Sequence, residues 1–419
     1  MFKFRRCTGH TKSLFSTISF AALLFLILLS GSVFSNLSLH SVAIKLKKQA
    51  CAIHPLEVYR QFSSNSTSLT LLSIKEETGE AYIEHPKRQK PPTNPSPEEE
   101  RIELIVKTLP QLEILKSTAL TQQFAAQAQK FFDSGCEVKF FMTWISPAIS
   151  FGKKEFFVVE SVFKAHPNGC LMILSRTMGS SQGNKILRPL TERGFKVIAL
   201  APDLPLLFNN TPAETWFDEL KKGTKDPGRV PLAQNLSNLL RLVILYKYGG
   251  VYLDTDFIVL KTFSGLRNSI GAQSMDLEAR NWTRLNNAVL IFDKNHPLLF
   301  KFIEEFSLTF DGNKWGHNGP YLVSRVIEKV AERPGFNFTV LPPIAFYPVD
   351  WNKIGGFFLK PKNPHESKWV AAKLLQLSGE TYGIHLWNKQ TSRLRIEEGS
   401  IIGQLISDHC VVCEDIYSS

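Results

Sequence analysis

The chain has 419 residues, 43% of them hydrophobic and 11% aromatic, which is enough to bury a large core and excludes a disordered protein. Its formal net charge of +11 is concentrated at the front: residues 1–97 carry twelve basic and five acidic residues, leaving 37 against 33 in the rest. By charge, the main domain is therefore no nucleic-acid binder, while the mild positive balance stays compatible with a phosphorylated small substrate.

Residues 1–12 hold Lys3, Arg5, Arg6 and Lys12, and residues 13–34 (SLFSTISFAALLFLILLSGSVF) carry no charge. A membrane helix needs about 20 apolar residues. The basic residues before the run predict a cytoplasmic tail (1–12), a transmembrane signal-anchor (13–34) and a luminal remainder. Ser30, Gly31 and Ser32 also suit a cleaved signal peptide, and either reading sends the remainder into the secretory pathway. Sequons beginning at Asn36, Asn65, Asn209, Asn235, Asn281 and Asn337 agree with that placement. Asn235 agrees least, because it opens a predicted helix.

Residues 35–97 read as a luminal stem ending in Pro86, Pro91, Pro92, Pro95 and Pro97, an extended spacer by composition. Cys51 is isolated there and permits a disulfide-linked dimer. The other luminal cysteines, Cys136, Cys170, Cys410 and Cys413, allow three pairings. HCVVC (409–413) reads either as half a zinc site or as a disulfide, and an oxidising lumen favours the disulfide.

Residues 98–135 form a helical neck by pattern, with Leu104, Leu112, Leu115 and Phe124 at apolar positions. From 136 to 419 short apolar runs alternate with helical stretches: VKFFMTWI (138–145), CLMILS (170–175), FKVIAL (195–200), VYLDTDFIVL (251–260), NNAVLIFD (286–293) and FTVLPP (338–343). This predicts an α/β domain, a Rossmann-like and mostly parallel sheet flanked by helices, with its ligand at the carboxyl ends of the strands.

NLSNLLRLVILYKY (235–248) reads as a helix stopped by Gly249 and Gly250. Leu236, Leu239, Leu240 and Val243 make its buried stripe, while Asn238 and Arg241, three apart, share a different face. VYLDTD then reads as strand, so that Asp254 and Asp256 project to the same side. Two neighbouring carboxylates are costly to desolvate unless a cation lies between them. Oxygen ligands suit Mn2+ or Mg2+ and leave room for a diphosphate. A calcium loop is excluded by Phe257, Ile258 and Val259 at the next positions.

LLRLVILYKYGGVYLDTDFIVLK (239–261) resembles the D-x-D sugar-binding region of nucleotide-sugar glycosyltransferases, and more closely the alpha-1,4-glycosyltransferase family. NNAVLIFDKNHPLL, WGHNGPYLVSRV and YGIHLWNK are similar to further blocks of that family, in its order. The resemblance implies a Golgi type II membrane enzyme with a GT-A type domain. It implies a nucleotide-sugar donor such as UDP-galactose, a Mn2+ cofactor, a glycan or glycolipid acceptor, and retention of anomeric configuration. By position, Asp254 and Asp256 would hold the metal and the donor's ribose and diphosphate, and His385 would complete the metal shell. Arg241 would steady the donor or the aspartates. Asn238 stands where many relatives have aspartate, which leaves amide hydrogen bonding but no charge. Thr143, Trp144 and Ile145 match the segment that holds the base. Asn286 and Asn287 stand on the acceptor side, and so do His317, Asn318 and Gly319, which form a polar loop with close backbone approach.

A carboxylate nucleophile is not selected by spacing: Asp276, Asp293 and Asp350 are all available. Two other classes compete with the transferase. One is a catalytically silent, membrane-anchored sugar- or nucleotide-binding protein on the same fold. The other is a secreted glycoside hydrolase, which needs its carboxylates farther apart across a cleft.

Overall fold

The structure is a computed structural model, and it describes Glu103, Lys107 and residues 115–413 except Leu277, Arg280 and Glu332. The expectations for the tail, the apolar run 13–34, the stem with Cys51, and Leu104 and Leu112 of the neck fall outside the described residues. Among the described residues no helix is long and apolar enough to cross a membrane.

Short strands of continuous apolar residues need cover on both faces, and the chain provides it. β1 (Lys139–Thr143), β2 (Cys170–Leu174), β3 (Lys196–Leu200) and β4 (Gly250–Leu253) follow helical crossovers, then come β5 (Phe257–Val259), β6 (Ser269–Asp276), β7 (Asn281–Phe292), β8 (Thr339–Leu341) and β9 (Gly383–His385). Seven of them form a sheet in the order β3-β2-β1-β4-β7-β6-β8, and β5 pairs with β9 in a separate ribbon. Only the two ladders made by β7 are antiparallel in the large sheet; the other four are parallel. The expected mostly parallel α/β sheet is therefore present, with one reversed strand in its middle.

Successive residues of each strand enter opposite layers, as the period of two requires. Phe140, Met142, Leu171, Ile173, Val251 and Leu253 pack with Val158, Val159 and Val162 of the helix Lys153–Ala165. Phe141, Met172, Leu174 and Tyr252 pack on the other side with Leu236, Leu239 and Val243 of the helix Leu232–Tyr248. Each such side chain contributes about 1.5–3 kcal/mol on burial. The remaining strands match the apolar runs to within a few residues, while β6 and β9 lack an apolar run of their own. Cys136 joins Cys170, and Cys410 joins Cys413, which selects one of the three pairings and the disulfide reading of HCVVC. In the described part of the neck, helices Ala119–Gln122 and Phe124–Phe132 agree with the helical pattern, and Thr118 caps the first of them with a reciprocal bond to Thr121.

One expectation is corrected. VYLDTDFIVL is not one strand: β4 ends at Leu253, β5 begins at Phe257, and residues 254–256 turn between two different sheets. The turn is closed by the Phe257 N–H on the Asp254 carbonyl at 3.2 Å. Asp254 and Asp256 thus converge through a bend rather than through strand alternation.

The helix-to-β4 corner depends on glycine. The Gly249 N–H caps the Leu245 carbonyl at 2.8 Å with φ +65°, and Gly250 has φ +120°, where a Cβ would lie 2.4 Å from the Lys139 carbonyl oxygen. Both the dihedral and the backbone collision forbid a side chain. Gly250→Ala is expected to lower unfolding stability by about 3 kcal/mol. Urea unfolding followed by tryptophan fluorescence would show this, and an unchanged midpoint would contradict the corner's tightness.

Candidate functional site

The helix Leu232–Tyr248 has two buried faces. Its apolar stripe is as expected, and Asn235, Asn238 and Arg241 form a second, polar stripe at three-residue spacing, all at most 6% exposed. Each member meets a partner from outside the helix. Asn318 donates its amide to Asn235 Oδ1 at 3.0 Å, Asn287 donates to Asn238 Oδ1 at 3.0 Å, and Arg241 reaches Asp254.

Arg241 is the best-anchored group of the site. Its Nη2 lies 3.0 Å from Asp254 Oδ1 and its Nη1 3.2 Å from Oδ2. It also donates to the Asn287 carbonyl (2.8 Å), the Ser237 carbonyl (3.2 Å) and Ser237 Oγ (3.1 Å), and its guanidinium stacks on the Tyr252 ring at 4.6 Å. The bidentate geometry fixes the carboxylate plane. Tyr252 Oη donates to Asp254 Oδ1 at 2.9 Å and is joined to Thr143 Oγ1 at 2.8 Å, which in turn meets Ser237 Oγ at 2.6 Å. Because a carboxylate only accepts, this chain of hydroxyls is oriented toward Asp254. Burial raises the Tyr252 phenol's pKa well above the ordinary value, so it remains a neutral donor.

Asp256 is held from the other end of the chain. The β5–β9 ribbon pairs Phe257 with His385, placing His385 Nε2 3.2 Å from Asp256 Oδ1. Gly383 is required there, since a Cβ would lie 2.3 Å from the Phe257 ring. The Leu386 N–H donates to the Asp256 carbonyl and the Asn388 N–H to Asp256 Oδ2, both at 2.7 Å. Trp387 turns the chain between them with φ +56°, and its indole N–H is tied to the Val349 carbonyl at 3.0 Å. Behind this segment Lys154 Nζ donates to the carbonyls of Thr391, Ser392 and Leu394, and Glu155 accepts from the Asn388 amide at 3.4 Å.

The two aspartates are electrostatically unequal. Burial pushes the Asp254 carboxyl up and Asp256 adds to that, with Arg241 opposing. Asp256 is also penalised by burial, but His385 and the Asn388 N–H outweigh it and hold the carboxyl below its usual value. For His385, burial favours the neutral ring, and the Asp256 charge overcomes this to raise its pKa. The Asp254 side chain is 26% exposed against 11% for Asp256, so solvent and ligands reach the pair at Asp254.

The donor set fits a divalent cation. One ligand atom each from Asp254, Asp256 and His385 lies within 4.8 Å of the others, so small side-chain shifts would bring them into reach of one ion, whose bonds of about 2.2 Å allow at most about 4.4 Å between ligands. Binding at Nε2 would replace the proton now shared with Asp256, leaving the other ring proton on Nδ1 at the expense of its long 3.3 Å contact with the Trp387 N–H.

Thr143, Asn238, Arg241, Asp254 and Asn287 thus share one hydrogen-bonded network, and Asp256 with His385 belong to a second that meets it where the two carboxylates converge. Trp144 packs edge-on against Phe151 at 4.9 Å and donates to the Pro147 carbonyl, and Ile145 packs against the second apolar layer. Asn286 points away, donating to Gln273 at 2.9 Å and accepting from the Ala288 N–H. His317 bonds the Thr309 carbonyl at 2.8 Å. Asn318 ties the Asp311 backbone to Asn235. Gly319 is so close to Asn238 that a Cβ would lie 2.8 Å from its Oδ1. Sequence reasoning assigned no role to Tyr252, Ser237, Lys154 or Asn388. Tyr252 was open to the same period-two argument as the aspartates, since it precedes Asp254 by two residues.

Residues 152–276 match the family described as glycosyltransferase sugar-binding region containing DXD motif, and residues 291–417 match the alpha 1,4-glycosyltransferase conserved region. The chain is 34% identical to lactosylceramide 4-alpha-galactosyltransferase of Homo sapiens, over 60% of this chain and 69% of that protein. It is 24% identical to alpha-1,4-N-acetylglucosaminyltransferase of Homo sapiens, over 50% and 58% respectively. An Arabidopsis thaliana protein, At4g19900, is 30% identical over 67% of this chain, which spans 43% of that protein's length.

Tyr252 orients Asp254 through a hydrogen bond to its Oδ1. Tyr252→Phe should weaken divalent-metal affinity about tenfold, the usual cost of removing a partner that orients a ligand. Titration of the folded variant with Mn2+ by calorimetry or electron paramagnetic resonance checks this, and unchanged affinity would remove Tyr252 from the site.

Proposed function

Because the chain belongs to the alpha 1,4-glycosyltransferase family, we propose that it transfers a hexose from a nucleotide sugar to a glycan or glycolipid acceptor, dependent on a divalent cation at Asp254, Asp256 and His385. The observation that carries this reading is the convergence of those three side chains from two distant segments, with Arg241 bound behind Asp254. When bound, the cation supplies positive charge for the diphosphate that leaves the sugar. Oxygen-rich ligation with one imidazole suits Mn2+ first and Mg2+ second. The names of the relatives point to galactose or N-acetylglucosamine as the sugar, and UDP-galactose is the first donor to test.

The protein's own groups divide the work. Arg241 and Tyr252 hold Asp254 still, so that no reorganisation is needed when the donor arrives. The Asn388 N–H does the same for Asp256, and would go on doing so once His385 Nε2 binds the cation instead of Asp256. The Asn287–Asn238 amide pair lines the side next to Arg241 and offers neutral hydrogen bonds.

Retention without a carboxylate nucleophile is part of the proposal. Asp293 is engaged by Arg267 (2.7 Å) and Asn268 (3.0 Å) next to Gly249, at the opposite end of β4 from Asp254. Asp276 caps its own exposed turn through the N–H groups of Glu278 and Ala279, and Asp350 is exposed. These positions support a front-face substitution in which the departing phosphate oxygen takes the acceptor hydroxyl's proton.

A Golgi membrane location, single-pass with the catalytic domain in the lumen, is proposed from the uncharged run 13–34 behind its basic tail. Exposure of Asn209, Asn281 and Asn337 is compatible with glycosylation there, while Asn235 is buried and engaged.

UDP-galactose turnover by the purified chain, with and without Mn2+, tests the function. Turnover should require the metal, and Asp256→Asn should lower it about a hundredfold or more. Metal-independent or absent turnover of UDP-sugars by folded protein would sink the reading and favour a silent binding protein.

A further inference from the structure

The loop Asp311–Gly319 is anchored firmly at its feet and half-exposed at its tip. Asn318 donates to the Asn235 amide oxygen and the Asp311 carbonyl, and accepts from the Asp311 N–H. The Val230 N–H donates to the Gly312 carbonyl at 2.8 Å, and Gly312 lies so close to Pro227 that a Cβ would be 1.9 Å from its carbonyl oxygen. At the tip Trp315 is 52% exposed, and Tyr321, on the first turn of the helix Pro320–Val330, is 42% exposed. Gly316 lets the loop backbone lie against Tyr321, since a Cβ there would be 2.9 Å from the Tyr321 ring.

Neither ring packs into the core, and each has a cation over it. Lys389 Nζ is 4.1 Å from the Trp315 centroid, and the Arg284 guanidinium is 4.7 Å from that of Tyr321. Lys389 directly follows Asn388, whose N–H holds Asp256. The aromatic pair therefore stands at the rim of the aspartate site, on a loop whose feet rest on the same helix as Arg241.

A large exposed indole held on a fixed loop is a poor use of apolar surface unless something covers it. Rigid aromatic rings offer a broad contact face with little side-chain entropy to lose, and the flat C–H face of a pyranose matches such a ring. The neighbouring Lys389 and Arg284 supply donors for hydroxyl or acidic substituents around the ring edge.

We propose that Trp315 and Tyr321 form the acceptor subsite and that Trp315 stacks on the terminal pyranose ring of the saccharide that receives the sugar. This rests on the transferase reading above, and the test separates the two.

With UDP-galactose and Mn2+, donor turnover is measured for the full chain in water and with a saccharide panel of lactose, N-acetyllactosamine and methyl glycosides of galactose and N-acetylglucosamine. A saccharide from the panel should accelerate turnover. Trp315→Ala should then raise the saccharide KM about tenfold more than the donor KM, with Trp315→Phe recovering most of that loss. Circular dichroism confirms that the variants fold. No metal-dependent turnover by the native chain overturns the transferase reading and the subsite with it. Turnover that no saccharide accelerates, or equal effects of Trp315→Ala on both KM values, overturns the subsite alone.

Discussion

A guanidinium that is 2% exposed has to be neutralised where it lies, and Arg241 is neutralised by Asp254 alone among the described carboxylates in contact with it. Removing one partner of such a pair strands a buried charge, at a cost of about 3–5 kcal/mol. The constraint runs outward from there. Arg241 is fixed by the helix Leu232–Tyr248, so Asp254 must end β4 at that level. The chain must then turn away within two residues to begin β5. Asp256 is carried into the ribbon with β9 and acquires its own compensating partner in His385. Two carboxylates can stand side by side because each has a compensating partner, Arg241 for Asp254 and His385 for Asp256.

Much of this could be read from residue types, and the boundary is physical. The helix, its glycine stop and its apolar stripe follow from periods that local sterics impose. Asn238 and Arg241 were separable from that stripe because three residues apart is one face and a different one. The straight strand through VYLDTDFIVL failed because apolar character on both sides of the aspartates is shared by one long strand and two short strands in different sheets. What distinguishes them is β9, more than a hundred residues later, and Gly383, whose missing Cβ admits the Phe257 ring. His385 was reachable only through family likeness, since its partner is set by that long-range pairing. Lys154 carries no signal at all in sequence, where a lysine on the first turn of a helix reads as solvent-facing. Its role depends on three carbonyls that arrive from residues 391–394.

The polar stripe on the central helix links parts of the site that sequence treats separately. Asn235 receives the loop residue Asn318, Asn238 receives Asn287 of β7, and Arg241 receives Asp254. A rigid helix of 17 residues thus sets the spacing between the loop side and the metal side of the site. Asn238 suits this row because its amide oxygen accepts the Asn287 bond without adding a charge to a buried site.

The opposite wall is built on different supports. The segment 385–394 hangs from β5, from Lys154 and Glu155, and from the Trp387 indole on the Val349 carbonyl. It meets the helix-borne loop at the rim through Lys389 over Trp315, a contact worth about 0.5–2 kcal/mol. Each wall is tied to its own foundation by several buried hydrogen bonds, so separating the rim contact costs far less than deforming either wall. Displacing Lys389 from the indole would therefore leave the supports of Asp254 and Asp256 in place. The geometry that holds the reacting end still is compatible with a rim that opens.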